Sequence, residues 1–324
     1  MKALICGVGG QDGAYLARDL LAKGYEVIGT SRDALTTRFD NLAKLEILPR
    51  IKTVSMAVHD FHSVFSIIRG CAPDEIYNLS GQSSVGLSFE QPVEAIESIA
   101  IATLNLLEAI RFDGRKIRFY NAGSGECFGN AVEGAASEAT PFKPRSPYAV
   151  AKVAAHNLVE NYRDSYGIFA CSGILFNHES PLRPERFVTQ KIVQAAARIS
   201  RGSKESLHLG NLRVSRDWGW TPDYVDAMWR MLQQDEATDF VIATGRTESL
   251  EYFAKSVFSF FDLEWLEHVV SDDRLLRPSD IYIGKANPEK ARSHLGWQAT
   301  KDIDGVIEAM CEDAARLARV DRLG

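Results

Sequence analysis

KIRFYNAGSGECFG occupies residues 116–129 and is followed at 138–152 by EATPFKPRSPYAVAK. Ile117, Phe119 and Tyr120 form an apolar run suited to a buried strand, and Gly123-Ser124-Gly125 halts it where glycines let the backbone turn. Ser124 and Glu126 are therefore expected at the carboxyl end of a strand. Pro147 suits the first position of a helix and Ser146 its cap. That helix carries Tyr148 and Lys152 four positions apart, on one face. A phenol is a poor base at neutral pH unless its anion is favoured. A fixed ammonium does this, so the pairing is expected to lower the Tyr148 pKa. The Y-x-x-x-K spacing alone also fits a solvated helix face, but that reading leaves the upstream Ser and Glu unexplained.

Toward the N-terminus, KALICGV (residues 2–8) reads as a buried strand and runs into GVGGQDGAYLARDLLAKG. Gly7, Gly10 and Gly13 permit a tight turn, and backbone N–H groups there can approach a pyrophosphate at the positive end of a helix beginning near Asp12. The next strand, 26–31, ends at Arg32. An NAD-selective site would offer an acid here; a guanidinium suits a 2'-phosphate instead, which points to NADP. A third strand is expected at 52–57, ending at Asp60, which would either accept from an adenine amine or cap the following helix. A fourth, EIYNLS (75–80), leads into Gly81-Gln82-Ser83-Ser84, small and polar groups suited to the nicotinamide half of a cofactor.

A long amphipathic helix is expected from about Val93 to Ile110, ahead of the central stretch. After the Tyr148 helix, a sixth strand is expected to end at Asn177, beyond which the pattern turns to short, polar, Pro-punctuated pieces. DFVIATG (239–245) would return to the main sheet, with further helices near 250–260 and 287–295. Strands alternating with helices mean an α/β fold, a doubly wound parallel sheet, with a smaller mixed C-terminal lobe. The expected division is 1–177, with 217–247 returning to it, and 178–324.

The chain has 324 residues, 45% hydrophobic and 25% charged, enough for a full core. A formal charge of −6 gives no general attraction to nucleic acid or an anionic membrane. Arg183, Arg186, Lys191, Arg213, Arg216 and Arg277 are nonetheless spaced so that several could converge on a diphosphate. Five cysteines, odd in number and without metal-ligand spacing, read as reduced thiols of a cytosolic protein with no metal site. Met1-Lys2 leads straight into a strand, leaving no room for a signal peptide, and no apolar run reaches the length of a membrane span.

These residues resemble the extended short-chain dehydrogenases/reductases, and within them the GDP-mannose 4,6-dehydratase family. The segments carrying the resemblance include EIYNLSGQSSVGLSF, PFKPRSPYAVAK, GILFNHESPLRP, FVTQKI, SRDWGW, DYVDAMW and RPSDI, and FNHESP with RDWG is far more specific than the glycine turn. The resemblance implies a Rossmann fold and an NADP-dependent, redox-neutral dehydration of a GDP-sugar, with catalytic Ser124, Glu126, Tyr148 and Lys152. It implies cofactor contacts from Gly7, Gly10, Gln11, Asp12, Gly13, Arg32, Asp60, Phe61, Leu79, Ser80, Gln82, Tyr148, Lys152 and His178. Substrate contacts are implied for Ser83, Asn177, Val188, Lys191, Gly210, Asn211, Arg216, Arg277 and Asp280.

Three departures follow. Ser124 stands between two glycines where the family has Thr flanked by Ser, which implies a looser loop. Asp280 stands where the family has Glu, one methylene short of the ribose hydroxyls. The loop after the second strand is reduced to Arg32-Asp33, so a homodimer is expected before the family's homotetramer. The alternatives are a reductase or epimerase of the same fold, a dehydratase of another nucleotide sugar such as a GDP-heptose, and a non-catalytic NADP-binding regulator. Glu126 favours dehydration over the first, and retention of Tyr148 with Lys152 disfavours the last.

Overall fold

The computed structural model describes residues 1–131 and 134–320. Strands β1 (Lys2–Cys6), β2 (Glu26–Ser31), β3 (Lys52–Ser55), β4 (Glu75–Asn78), β5 (Arg118–Ala122) and β6 (Ala170–Leu175) occur in chain order. With β10 (Phe240–Ile242) they make one seven-stranded sheet, ordered β10-β6-β5-β4-β1-β2-β3, and every pairing is parallel. Parallel strands covered on both faces read as continuous apolar runs, and β4 and β6 are buried throughout. Successive side chains serve opposite faces. Ala3 and Ile5 of β1 pack with Leu16, Leu20 and Met228, whereas Leu4 and Cys6 pack with Ile68, Leu106 and Val159.

Strand order reverses between β1 and β4, which places a crevice outside their carboxyl ends. The glycine turn after β1 and the 79–84 loop after β4 meet there. Gly7 has φ +83, and a side-chain carbon on it would lie 2.8 Å from the Leu79 carbonyl oxygen. Only glycine suits that position.

Two expectations are corrected here. The helix expected over 93–110 is interrupted: Pro92–Ile96 and Ala102–Asp113 are α-helical, and Glu97–Ile101 between them is a π-helical turn. A π turn admits one extra residue per turn and re-aims side chains. Ser98 within it accepts from the Gln82 backbone N–H at 3.1 Å, which ties the helix to the loop after β4. The sixth strand does not run to Asn177. It stops at Leu175, the Phe176 N–H donates to Ile242, and Asn177–Glu179 becomes β7 of a second sheet.

That sheet has the order β11-β9-β7, with β9 at Ser215–Trp220 and β11 at Thr247–Ser249. A two-stranded pair joins β8 (Leu207–Leu209) to β12 (Val269–Ser271). Helices Val188–Ile199, Leu250–Phe260 and Ile303–Val320 enclose a separate core containing Ile192, Val193, Phe253, Val257, Val306 and Met310. β7 follows the main sheet directly in sequence and lies beside β9, so the 176–180 segment sits where the two sheets meet.

Candidate active site

Two cavities open along this junction, of about 950 Å³ and about 430 Å³. The larger is lined by Gly7, Gly10, Gln11, Asp12, Gly13, Arg32, Leu79, Ser80, Gln82 and Ser83. Gly13 carries no Cβ because one would lie 2.5 Å from the Gly7 carbonyl oxygen, so the first helix packs directly on the turn. Asn41 donates to the Gly9 carbonyl at 3.0 Å and pins the turn from the other side. Arg32 is at the mouth, largely exposed, with Nη2 3.3 Å from Glu94 Oε1. Asp33 turns back on its own loop and accepts from the Leu35 N–H and the Thr36 hydroxyl.

Asp60 and Phe61 are not among the residues lining either cavity. Of the two roles open to Asp60, the structure supports the cap: its carboxylate accepts from the Ser63 N–H at 2.6 Å, at the start of helix Phe61–Cys71. Phe61, the first residue of that helix, stacks on Phe65 and meets Phe112 edge-on.

The smaller cavity gathers Ser124, Glu126, Tyr148 and Lys152. Ser146 caps the Tyr148 helix by accepting from the Ala149 N–H at 3.1 Å, with Pro147 at its first position. Ser124 accepts from the Glu126 N–H at 3.3 Å, which winds Gly125–Phe128 into a short 3-10 turn. The looser loop implied by the flanking glycines is not what is found. A side-chain carbon on Gly125 would lie 2.9 Å from the Phe176 ring, and one on Gly123 would lie 2.9 Å from the Gly173 carbonyl oxygen. The glycines here allow close packing, and the loop is pressed onto β6 and its extension.

The expected effect of Lys152 on Tyr148 also needs correction. Burial pushes the Tyr148 phenol above its ordinary value, and Ser124 hydrogen bonding offsets this only in part. Lys152 is itself pushed down, to about 8, chiefly by burial. Its Nζ donates to the Ala122 carbonyl at 2.7 Å and lies 5.7 Å from the centre of the Tyr148 ring. In the protein alone, desolvation decides the direction for Tyr148. A further positive charge in the cavity is what would favour the phenolate.

Ser83, Asn177, Val188, Lys191, Gly210, Asn211, Arg216, Arg277 and Asp280 all line this cavity. Lys191 Nζ donates to the His208 carbonyl at 2.8 Å. Arg277 and Arg216 both approach Asp280 Oδ1, at 3.5 and 3.4 Å. Arg183 and Arg186 line both cavities, and Arg183 Nε forms an ion pair with buried Glu179 at 3.2 Å.

His178 joins the cavities to the first helix. Its Nδ1 faces the Phe176 carbonyl at 2.8 Å and its Nε2 faces Asp12 Oδ2 at 3.0 Å. Both partners are acceptors, an arrangement that favours the imidazolium, which can donate from both ring nitrogens. Burial alone would push the His178 pKa down, but the Asp12 charge and hydrogen bond raise it overall. Asp12 is correspondingly lowered: burial works against this, and His178 and Arg183 prevail. Gln11 completes the seam, donating to the His178 carbonyl at 3.0 Å and accepting from Ser180 at 2.9 Å. Asp12 Oδ1 is buried without a partner at the wall common to both cavities, an acceptor suited to a ligand donor.

The sequence reading missed the polar group beneath the nicotinamide-side loop. Asn78 donates to Thr103 at 3.2 Å and to Asn121 at 3.1 Å, and accepts from Ser80 at 2.6 Å. Two asparagines at the carboxyl ends of adjacent buried strands, where apolar residues are the rule, are the signal that could have found it. Glu179 was likewise passed over, although it lies inside FNHESP. Among the described residues, no group of His, Cys, Asp or Glu could hold a metal ion, and no helix is long and apolar enough to cross a membrane.

The family described as GDP-mannose 4,6 dehydratase matches residues 4–310. GDP-mannose 4,6 dehydratase 1 of Arabidopsis thaliana is 42% identical over 331 residues, covering 99% of this chain and 91% of its own. A GDP-mannose 4,6-dehydratase of Vibrio cholerae serotype O1 is 44% identical over 334 residues, covering 99% of this chain and 85% of its own. Among solved structures, the UDP-glucose 4-epimerase of Thermus thermophilus in complex with NAD has a TM-score of 0.82 at 26% identity, covering 96% of this chain and 99% of its own. Similarity of this extent, in sequence and in fold, means that the chain belongs to the GDP-mannose 4,6-dehydratase family of extended short-chain dehydrogenases/reductases.

Proposed function

We propose that this protein removes water from GDP-mannose to give GDP-4-keto-6-deoxymannose, with NADP as a cofactor that is regenerated in each cycle. The observation that carries the reading is Glu126, a carboxylate in the same cavity wall as Tyr148 and Lys152. Hydride transfer at C4 by a reductase or 4-epimerase needs the phenol and the ammonium but no carboxylate at Glu126.

The larger cavity's glycine turn, Gln82 and Arg32 would hold the dinucleotide, with Asp12 at its inner end and His178 beyond it in the smaller cavity. Bound there, it supplies a reversible hydride acceptor and a cationic ring. That ring is the additional positive charge that Tyr148 needs. Tyr148 takes the proton from the sugar O4 as C4 is oxidised, and Lys152 holds the phenolate. Ser124 donates to O4 and keeps it oriented. The new ketone acidifies the C5 proton. Glu126 removes it and returns it to the departing C6 hydroxyl, which leaves as water. The hydride taken from C4 would be returned to C6, C5 takes up a solvent proton and Tyr148 gives up the O4 proton to solvent, so carbon oxidation at C4 balances reduction at C6. Lys191, Arg216 and Arg277 would hold the diphosphate, and Asp280 the ribose.

NADP is favoured over NAD by Arg32 at the cavity mouth, where a 2'-phosphate would meet its guanidinium. The same reading takes the protein to be cytosolic and a homodimer, to be checked by fractionation and sedimentation. The direct test of the reaction is incubation with GDP-mannose, GDP-heptose, UDP-glucose and dTDP-glucose, followed by product mass. The proposal expects loss of one water from GDP-mannose alone. Preferential dehydration of another sugar nucleotide would overturn the substrate, and reduction or epimerisation without water loss would overturn the reaction.

A further inference from the structure

Arg216 stands between two carboxylates that serve different ends of the proposed substrate. Nη1 is fixed by two backbone acceptors, the Ser215 carbonyl at 3.0 Å and the Ile281 carbonyl at 2.8 Å. The opposite edge is shared: Nε lies 3.5 Å from Glu126 Oε1 and Nη2 lies 3.4 Å from Asp280 Oδ1. The guanidinium is buried, with Arg216 only 7% exposed. Gly284 leaves room for its stem, since a side-chain carbon there would lie 3.1 Å from Arg216 Cδ. Among the described residues, Arg216 is the only cation within ion-pair distance of Glu126.

Two short backbone bonds and two long ion pairs describe a guanidinium that is anchored but not saturated. Its Nε–Nη2 edge still has capacity for a forked anion, and a diphosphate is a stronger partner for it than either carboxylate at these distances. While Arg216 leans on Glu126, the carboxylate is held toward the guanidinium and is not free to turn to the sugar. We propose that Glu126 and the substrate's diphosphate compete for Arg216, so that anchoring the diphosphate releases Glu126 for the C5 proton. Binding energy gained far from the reacting carbons is thereby used at them. This rests on the reading of Glu126 as the C5 base, but the competition itself is a property of binding.

Competition predicts a thermodynamic cycle. GDP affinity is measured by calorimetry, with thermal melts confirming that each variant is folded. Glu126→Gln should bind GDP about fivefold more tightly than wild type, because Arg216 no longer has to be shared. In an Arg216→Lys background, where an ammonium cannot fork between partners, the same Glu126→Gln change should alter GDP affinity less than about twofold. Lys191→Met is the control: it should weaken GDP but retain the fivefold gain, since Lys191 is bonded to His208 and makes no ion pair with Glu126. Glu126→Asp, which withdraws the carboxylate by one methylene, is the second variant should Glu126→Gln not fold, with a smaller gain of the same sign. No gain from Glu126→Gln overturns the competition outright, and a gain undiminished with Lys at position 216 overturns it in favour of plain through-space repulsion. If GDP binds, GDP-mannose loses water and the cycle is additive, this inference fails alone. If the cycle is non-additive but GDP-mannose is untouched, the competition stands and the dehydratase reading fails. If wild type does not bind GDP, both fail.

Discussion

His178 Nε2 lies 3.0 Å from Asp12 Oδ2, which couples the second sheet to the first turn of the first helix through a part-buried ion pair. His178 is raised from 6.5 and Asp12 is lowered from 3.8. A raised histidine contributes stability that is complete below its unfolded value and is lost as pH rises through its folded value. A lowered aspartate contributes stability that is present above its unfolded value and is lost as pH falls through its folded one. The pair is therefore most stabilising between 3.8 and 6.5. Thermal melts should show stability declining above pH 6.5, and His178→Gln should flatten that decline. A decline of unchanged slope in His178→Gln would show that the pair is not its source.

Gly125→Ala tests whether the loop bearing Ser124 and Glu126 is tightly packed. The added carbon meets the Phe176 ring at 2.9 Å. Overpacking of this kind costs about 1–3 kcal/mol, and the resulting shift should misplace Glu126 and slow turnover. Urea unfolding measures the first effect and water loss from GDP-mannose the second. A loop with room to spare would show neither.

The parts of the fold that could be read from the chain are those in which one physical rule acts alone. β1 to β5 announced themselves as runs of strand-forming residues broken by glycine, polar or charged residues, and Ser146-Pro147 started its helix where capping chemistry requires. The parts that were missed depend on partners distant in sequence. The π turn at Glu97–Ile101 carries Ser98 to Gln82, and nothing in the local periodicity marks it. Phe176 ends β6 because the chain must change sheets there, although its own apolarity continues the strand. Gly123 and Gly125 looked like flexibility until Gly173 and Phe176 were found against them. The site residues on the turn, the loop and the helix were legible as motifs. The protonation of Tyr148 was not, because burial is a property of the whole fold.

Arg32 should decide between the two nicotinamide dinucleotides. Arg32→Ala is expected to weaken NADP about tenfold and leave NAD almost unchanged. Glu94 competes for the same guanidinium at 3.3 Å, so Glu94→Gln should strengthen NADP a few-fold. Calorimetric titration of both dinucleotides reads both effects. Equal losses for NAD and NADP in Arg32→Ala would remove the basis for NADP selectivity.

Tyr148→Phe and Lys152→Met should each lower turnover on the order of 100-fold or more, for different reasons. The first removes the group that takes the O4 proton. The second also leaves the buried Ala122 carbonyl without its donor, so it should be destabilised as well. Tyr148→Phe should keep wild-type stability, and melts alongside initial rates separate the two.

The central claim is that Glu126 performs the dehydration half of the cycle and Tyr148 the oxidation half. It is tested by a single turnover of GDP-mannose in deuterated water, quenched and analysed by mass. Wild type should give a 6-deoxy-4-keto product carrying solvent deuterium at C5. Glu126→Gln should bind substrate, form the 4-keto hexose that still carries its C6 hydroxyl, and stop there, with water loss slowed on the order of 100-fold or more. Water loss from Glu126→Gln at the wild-type rate would contradict the account.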